Sequence, residues 1–198
     1  MHRSGKQWPK EITPMKQAIY CTFNVEEKTR RNCIHKMIDR IYKSPEDHTP
    51  CPRWCSNGTM VEVVSADMPM HPEQVATVEK VEVPTGKLQL TFQYPAIRRK
   101  DGRLKIYDSP EIAKTRICEK VIARLNEMGM NDVDIVDYVH NTSRIDLSDR
   151  EHGVSKLPVS FIVASCSCDD EDKVLNLMVN GIGKFRFAGL GMVYVTKA

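Results

Sequence analysis

The order of elements in the second half constrains this 198-residue sequence most. "KLQLTFQY", 87–94, alternates strictly, with Leu88, Leu90, Phe92 and Tyr94 on one face. That is the period of a half-buried strand. Asp101-Gly102 is a hairpin turn signal. Ser109-Pro110-Glu111 opens a helix: a capping hydroxyl, a proline in the first turn, and a carboxylate at the positive end of the dipole. Ala113, Ile117, Val121 and Leu125 form its apolar stripe, and Gly129 ends it. Residues 133–139 alternate weakly, and "VSFIVASCS", 159–167, is a strong strand. Asp169 or Asp170 caps a helix running to Asn180, Gly181 closes it, and "LGMVYVTKA" is the last strand. Strand, helix, strand, strand, helix, strand is the order of a ferredoxin-like split βαβ unit.

The first half gives a shorter version of the same series. A strand is expected at 16–24 and a helix at 25–44, with Cys33, Ile34, Met37, Ile38, Ile41 and Tyr42 at helical spacing and Pro45 as its stop. A turn-rich loop is expected over 45–58, followed by strands at "TMVEVVSADM" and "VATVEKVEV". No second helix is visible. The fold class is therefore α+β: two tandem ferredoxin-like (RRM-like) domains, the first abbreviated. The expected boundaries are a flexible extension at 1–14, an N-terminal domain at 15–85 and a C-terminal domain at 86–198. Met15 reads as an alternative start of the folded part.

Charge is distributed unevenly. The net charge is +3, but 126–172 holds eleven acidic residues against three basic ones, which leaves +11 for the rest. A basic body suits a polyanionic partner, and the acidic segment suits solvent or another protein; the alternative is ordinary solvated surface charge. No apolar run approaches the ~18 residues of a membrane helix, so no membrane partner is expected. Seven cysteines without a secretion signal suit reduced thiols and a cytoplasmic location. His48, Cys51 and Cys55 form an H-x2-C-x3-C cluster, but a second matched pair is missing, so neither metal nor cofactor is expected.

Three stretches carry chemistry. "GIGKFRFAGLG", 181–191, holds four of the ten glycines: Gly181, Gly183, Gly189 and Gly191. Glycines let backbone approach a ligand and form anion-binding nests. Lys184 and Arg186 add cations, and Phe185 and Phe187 offer stacking faces, a combination suited to phosphates and unpaired bases. The alternative is a helix C-cap followed by a bulged hairpin. "IRRKDGRLK", 97–105, sets Arg98, Arg99, Lys100, Arg103 and Lys105 around a turn, where they can reach a duplex backbone; the alternative is a soluble surface loop. His35 lies at the edge of the first helix's buried face, with Arg31 one turn before it, Asp39 one turn after it, and Lys36 adjacent. An imidazole there can exchange protons, and Asp39 is placed to orient it, or the residue is structural.

Taken together, these residues resemble the CasE-type CRISPR RNA-processing endonucleases of the RAMP superfamily, from type I-E or related type IV systems. The resemblance rests on "VEVVSADMP", the strand leading into "PAIRRKDGRLK", "VSFIVASCSCDDEDKVLNLMVNGIG" and the glycine-rich loop. It spans nearly all of 15–198. It implies two ferredoxin-like domains and metal-independent cleavage of stem-loop repeats in precursor CRISPR RNA. In that reaction the 2′-OH attacks the neighbouring phosphate, leaving a 2′,3′-cyclic phosphate and a 5′-OH. It also implies partnership with the repeat RNA and with other subunits of an effector complex. The family's catalytic histidine lies on the first helix, where "IHKMIDRIYKSP" places His35. Lys36, Arg31 or Lys184 would stabilise the phosphorane. A tyrosine often stands three residues before that histidine; Asn32 stands there here, and an amide cannot serve as such a proton donor. The rival is a noncatalytic RAMP-type RNA-binding subunit.

Overall fold

A computed structural model describes residues 15–27, 29–43, 52–100, 103–146, 156–183, 185 and 188–198, with backbone alone at 32, 99, 100, 103, 104, 141–144 and 146. The elements are strand Gln17–Asn24 (β1), helix Arg31–Tyr42 (α1), strands Arg53–Ser56 (β2), Met60–Ser65 (β3), Thr77–Glu82 (β4), Gly86–Pro95 (β5), Ile97–Lys100 (β6) and Arg103–Ile106 (β7), helix Pro110–Glu127 (α2), strands Asn131–Asp146 (β8) and Lys156–Cys168 (β9), helix Glu171–Asn180 (α3) and strand Val193–Lys197 (β10). They form two four-stranded antiparallel sheets, ordered β2-β3-β1-β4 and β10-β5-β9-β8, and a two-stranded ribbon, β6-β7. Among the described residues no helix is long and apolar enough to cross a membrane. The expected extension at 1–14 lies outside the described residues.

The second sheet forms where alternation predicts it. Leu88, Leu90 and Phe92 of β5 face α2 and α3 together with Ile162, Ala164 and Cys166 of β9. The stripe Ala113, Ile117, Val121 and Leu125 is fully buried. Ser109 caps α2 by accepting from Ile112 N at 3.2 Å. Of the two candidate caps for α3, Asp170 takes the place and accepts from the amides of Asp172 and Lys173. Those bonds hold its carboxyl below the usual carboxylate range.

The first sheet is covered on both faces. On one, Ile34, Ile38 and Ile41 of α1 pack on Phe23, Trp54, Val61 and Val63. Each fully buried isoleucine contributes roughly 2 kcal/mol. On the other, Ala18, Val64, Tyr20 and Cys55 join the core of the second sheet, and α3 touches β1 and β3. Period-2 alternation in β2 and β3 produces this division: Trp54, Val61 and Val63 point one way, Arg53, Cys55, Glu62 and Val64 the other.

Two sequence expectations are corrected here. The first helix begins at Arg31, not at 25, because the preceding residues have other partners. Val25 N donates to Thr59 O and Thr29 N to Glu26 O, each at 2.8 Å, and so form a strand end and a turn. The expected loop at 45–58 contains β2, paired with β3 in the register Trp54↔Val63. Its turn is held by Met60 N donating to Asn57 Oδ1 at 2.9 Å and by Gly58 at φ +110°.

Candidate functional site

The sheet surfaces bring the end of β2, the start of α1 and the glycine-rich loop together. Arg31 opens α1 and donates from Nη1 to Ala188 O at 2.8 Å and from Nη2 to Ser56 O at 3.4 Å. Its guanidinium lies 5.6 Å from the centre of the Trp54 ring, and burial lowers its pKa. It is therefore a bridge as well as a cation. One turn further along, the His35 side chain is 27% exposed, with Nε2 3.8 Å from Asp39 Oδ2. Lys43 Nζ lies 2.7 Å from Asp39 Oδ1, so Asp39 faces His35 with one oxygen and is held through the other. Arg31, His35, Asp39 and Lys43 form a single i,i+4 row along the flank of α1. Lys36 is exposed beside His35.

Within the loop, the glycines answer first to internal packing. Gly181 and Gly191 have φ +58° and +79°, and an added Cβ would lie 1.9 Å from Gly191 O and 2.0 Å from Ile182 O respectively. At Gly189 it would meet the Trp54 ring at 2.6 Å and Arg31 Nη1 at 2.8 Å, and at Gly183 the Tyr94 ring at 2.8 Å. The open sides of these glycines are filled by the protein itself. The expectation that they are there to admit a ligand thus has a competing physical cause, close chain-on-chain approach. Phe185 takes φ +66°, rare for an aromatic residue, and packs against the cluster of Ile97, Ile145, Leu157, Val159, Ala188 and Leu190. Lys184, Arg186 and Phe187 lie outside the described residues.

That same cluster joins the basic ribbon to the loop, since Ile97 begins β6. The ribbon pairs Arg98 with Lys105, Arg99 with Leu104 and Lys100 with Arg103, leaving residues 101 and 102 between its strands. Arg98 Nη2 donates to both carboxylate oxygens of Asp108, at 2.7 and 2.5 Å, and Lys105 is exposed. One structure therefore holds the helix carrying His35, the loop and the ribbon in sequence, through Arg31–Ala188 and the Ile97 cluster.

Two residues with a central place here were not singled out from the sequence. Arg53 is only 5% exposed, and its guanidinium donates from Nη1 to Leu190 O at 3.0 Å, from Nη2 to Gly183 O at 3.1 Å, and from Nε to Asn180 O. Trp54 is fully buried and forms the floor under Gly189. Asn57-Gly58 was the available signal: a tight turn implies a strand on each side, with Arg53 and Trp54 on opposite faces.

Of the H-x2-C-x3-C cluster, His48 and Cys51 lie outside the described residues. Cys55 sits in the seam between the sheets, with Sγ 3.0 Å from Tyr194 OH. Tyr194 donates to Glu62 Oε2 at 2.8 Å, so the hydrogen bonds run from thiol to phenol to carboxylate. Burial pushes up the pKa of both Cys55 and Tyr194.

No protein-family model matches the chain, and no curated protein matches it by sequence. Solved structures do. Thermus thermophilus Cse3 bound to an RNA representing a pre-cleavage complex superposes with a TM-score of 0.62 at 15% identity, over 91% of this chain and 99% of that one. The CRISPR-associated protein Cas6e from Escherichia coli K-12 gives 0.62 at 15%, over 91% and 100%. A chain of a CRISPR RNA-guided surveillance complex gives 0.58 at 13%, over 91% and 100%. The chain has the fold of the Cse3/Cas6e CRISPR endoribonucleases, at a sequence identity that carries the fold alone.

Proposed function

We propose that the chain is a metal-independent endoribonuclease that cleaves stem-loop repeats of precursor CRISPR RNA, keeps the product hairpin and joins a multi-subunit effector complex in the cytoplasm. In this reading 15–85 and 86–198 are tandem ferredoxin-like domains, the first with a 3-10 turn at Pro72–Gln74 where a second helix would stand. The observation that carries it is the Arg31–Ala188 bond, which seats the helix bearing His35 against the glycine-rich loop. The shared fold of RNA-bound Cse3 and of a surveillance-complex subunit supports the partners.

RNA carries its own nucleophile, so the protein has to supply alignment, a proton acceptor and cations. The 2′-oxygen attacks the adjacent phosphorus while His35 takes its proton. The P–O5′ bond breaks, and the leaving oxygen is protonated to a 5′-OH, with a 2′,3′-cyclic phosphate on the other product. Asp39, held by Lys43, orients the ring. Lys36 and Lys184 stabilise the added negative charge of the phosphorane. Arg31, already bonded to two carbonyls, holds the loop beside them. Arg98, Arg99, Lys100, Arg103 and Lys105 track phosphates of the stem, since an A-form major groove is too deep and narrow for base reading. Arg186 completes the grip, while Gly181, Gly183, Gly189 and Gly191 give the loop its close-packed shape.

The test is cleavage of the host's repeat hairpin in EDTA. His35→Ala should lower the rate by roughly 10²–10⁴ and leave hairpin affinity unchanged. A 2′-deoxy nucleotide before the scissile phosphate should stop the wild-type protein. Asn32 favours a second reading, a noncatalytic RNA-holding subunit. Tight hairpin binding without cutting of the all-ribose hairpin would establish that reading and remove the catalytic one.

A further inference from the structure

The glycine-rich loop takes its shape from a residue of the other sheet. Arg53 lies in the edge strand β2 of the first sheet, and the loop connects α3 and β10 of the second. Three carbonyls that Arg53 bonds among the described residues are not neighbours in sequence. Asn180 is the last residue of α3, Gly183 lies on the outgoing arm of the loop, and Leu190 on the returning arm. The arms meet through Ile182 N donating to Gly191 O at 2.8 Å, and the returning arm reaches β5 through Gly191 N and Gln93 O at 3.3 Å. The guanidinium lies against the same glycines: a Cβ at Gly181 would be 3.1 Å from Arg53 Nε, and one at Gly191 would be 3.2 Å from Nη1.

Two physical facts make this more than packing. A helix ends with carbonyls that lack intrahelical partners and a partial negative charge, and α3 has no basic residue in its last turn. Arg53 brings that cation from a distant strand. A planar guanidinium also presents donors from three nitrogens in a fixed fork, so it reaches separated acceptors that an ammonium, with its three donors on one atom, cannot span.

We propose that Arg53 is a positioning residue for RNA binding: its buried guanidinium sets the spacing of the two arms of the glycine-rich loop, and through that spacing the affinity for RNA. This rests on the RNA-binding reading above. Arg53 itself is too buried to touch the RNA, so its contribution travels through the loop.

The experiment measures binding of a fluorescein-labelled copy of the host's CRISPR repeat hairpin, alongside thermal melting. Arg53→Ala is expected to weaken binding by at least about tenfold while a cooperative melting transition remains. Guanidinium ion at about 10 mM, far below denaturing levels, should restore much of that affinity by re-entering the vacated site, with no effect on wild type. Arg53→Lys should bind weakly without rescue, because its ammonium blocks the site. A folded Arg53→Ala protein that binds as wild type overturns the proposal, as does weak binding that guanidinium leaves unchanged. Should Arg53→Ala fail to fold, Arg53→Lys decides: wild-type affinity overturns the proposal, and lost affinity with intact melting supports it. A wild-type protein that binds no hairpin removes the RNA reading instead. The loop-shaping role is then judged by amide exchange at Ile182, faster in Arg53→Lys if Arg53 holds the arms and unchanged if it does not.

Discussion

The two basic stretches differ in what shapes them. The described residues of the loop at 181–191 are fixed from inside. Its glycines face backbone, the Trp54 ring and the Tyr94 ring, and its carbonyls are held by Arg53 and Arg31. The ribbon at 97–106 is anchored at its base by Ile97 and by the Arg98–Asp108 pair, and Lys105 and Ile106 on its returning strand are exposed. The described part of the loop takes its shape from contacts within the protein, whereas the ribbon keeps the charge of Lys105 on the surface. What shapes each stretch therefore leads to different experiments: change the loop and stability should respond, change the ribbon and salt-dependent binding should respond.

The largest effect that would break the contrast is at Gly181. An alanine there has to take φ +58° with its Cβ 1.9 Å from Gly191 O, so the backbone of both arms must move. We expect Gly181→Ala to cost about 3 kcal/mol. For a chain of this length that lowers the melting temperature by roughly 6–12 °C. Lys105→Ala should stay within about 0.5 kcal/mol. Equal melting temperatures for the two variants would mean the loop is no more fixed than the ribbon.

An intermediate effect sharpens the other side. Replacing Arg103 and Lys105 together with alanine should weaken hairpin binding at low salt by several-fold and reduce the slope of log affinity against log salt by about 1–2. The melting temperature should hold. A melting shift without a change in salt slope would assign the ribbon to structure rather than to phosphate contacts.

The same contrast governs what could be read before the fold was known. Patterns contained in one element were legible. The alternation of 87–94, the stripe Ala113–Ile117–Val121–Leu125 and the caps at Ser109 and Asp170 each report a local period or a local hydrogen bond, and each stands as expected. The start of α1 was not legible, because it depends on Thr59 accepting from Val25 across the sheet. β2 was hidden among prolines, and with it Arg53, whose partners lie 127 to 137 residues away. The cause of the glycines was hidden for the same reason: a Gly-x-Gly pair records that something comes close, and only the tertiary structure shows Trp54, Tyr94 and the opposite arm in that place. His35, by contrast, was visible from helical geometry alone at the edge of the apolar face, next to Asp39.

The smallest effect probes the seam between the two sheets. Cys55, Tyr194 and Glu62 meet there, and burial together with the neighbouring Glu62 carboxylate keeps protons on the thiol and the phenol. Tyr20, beside them, is pushed up to about 12, first by burial and then by Glu62. These are acids whose folded pKa is raised. Their stabilising contribution is complete below the unfolded values of 9.0 for the thiol and 10.0 for a phenol, and it is lost as pH rises from there toward the folded values, because the unfolded chain releases protons that the folded chain retains. Wild type should therefore lose stability steadily above about pH 9. Tyr194→Phe should cost about 1 kcal/mol at neutral pH, since Glu62 and Cys55 lose a shared partner. It should also flatten the alkaline loss by under ~1 kcal/mol near pH 10.5. Melting curves of the two proteins at neutral and alkaline pH give both numbers. Parallel alkaline slopes would mean that Tyr194 ionises as freely in the folded chain as in the unfolded one, and that the seam is open to water.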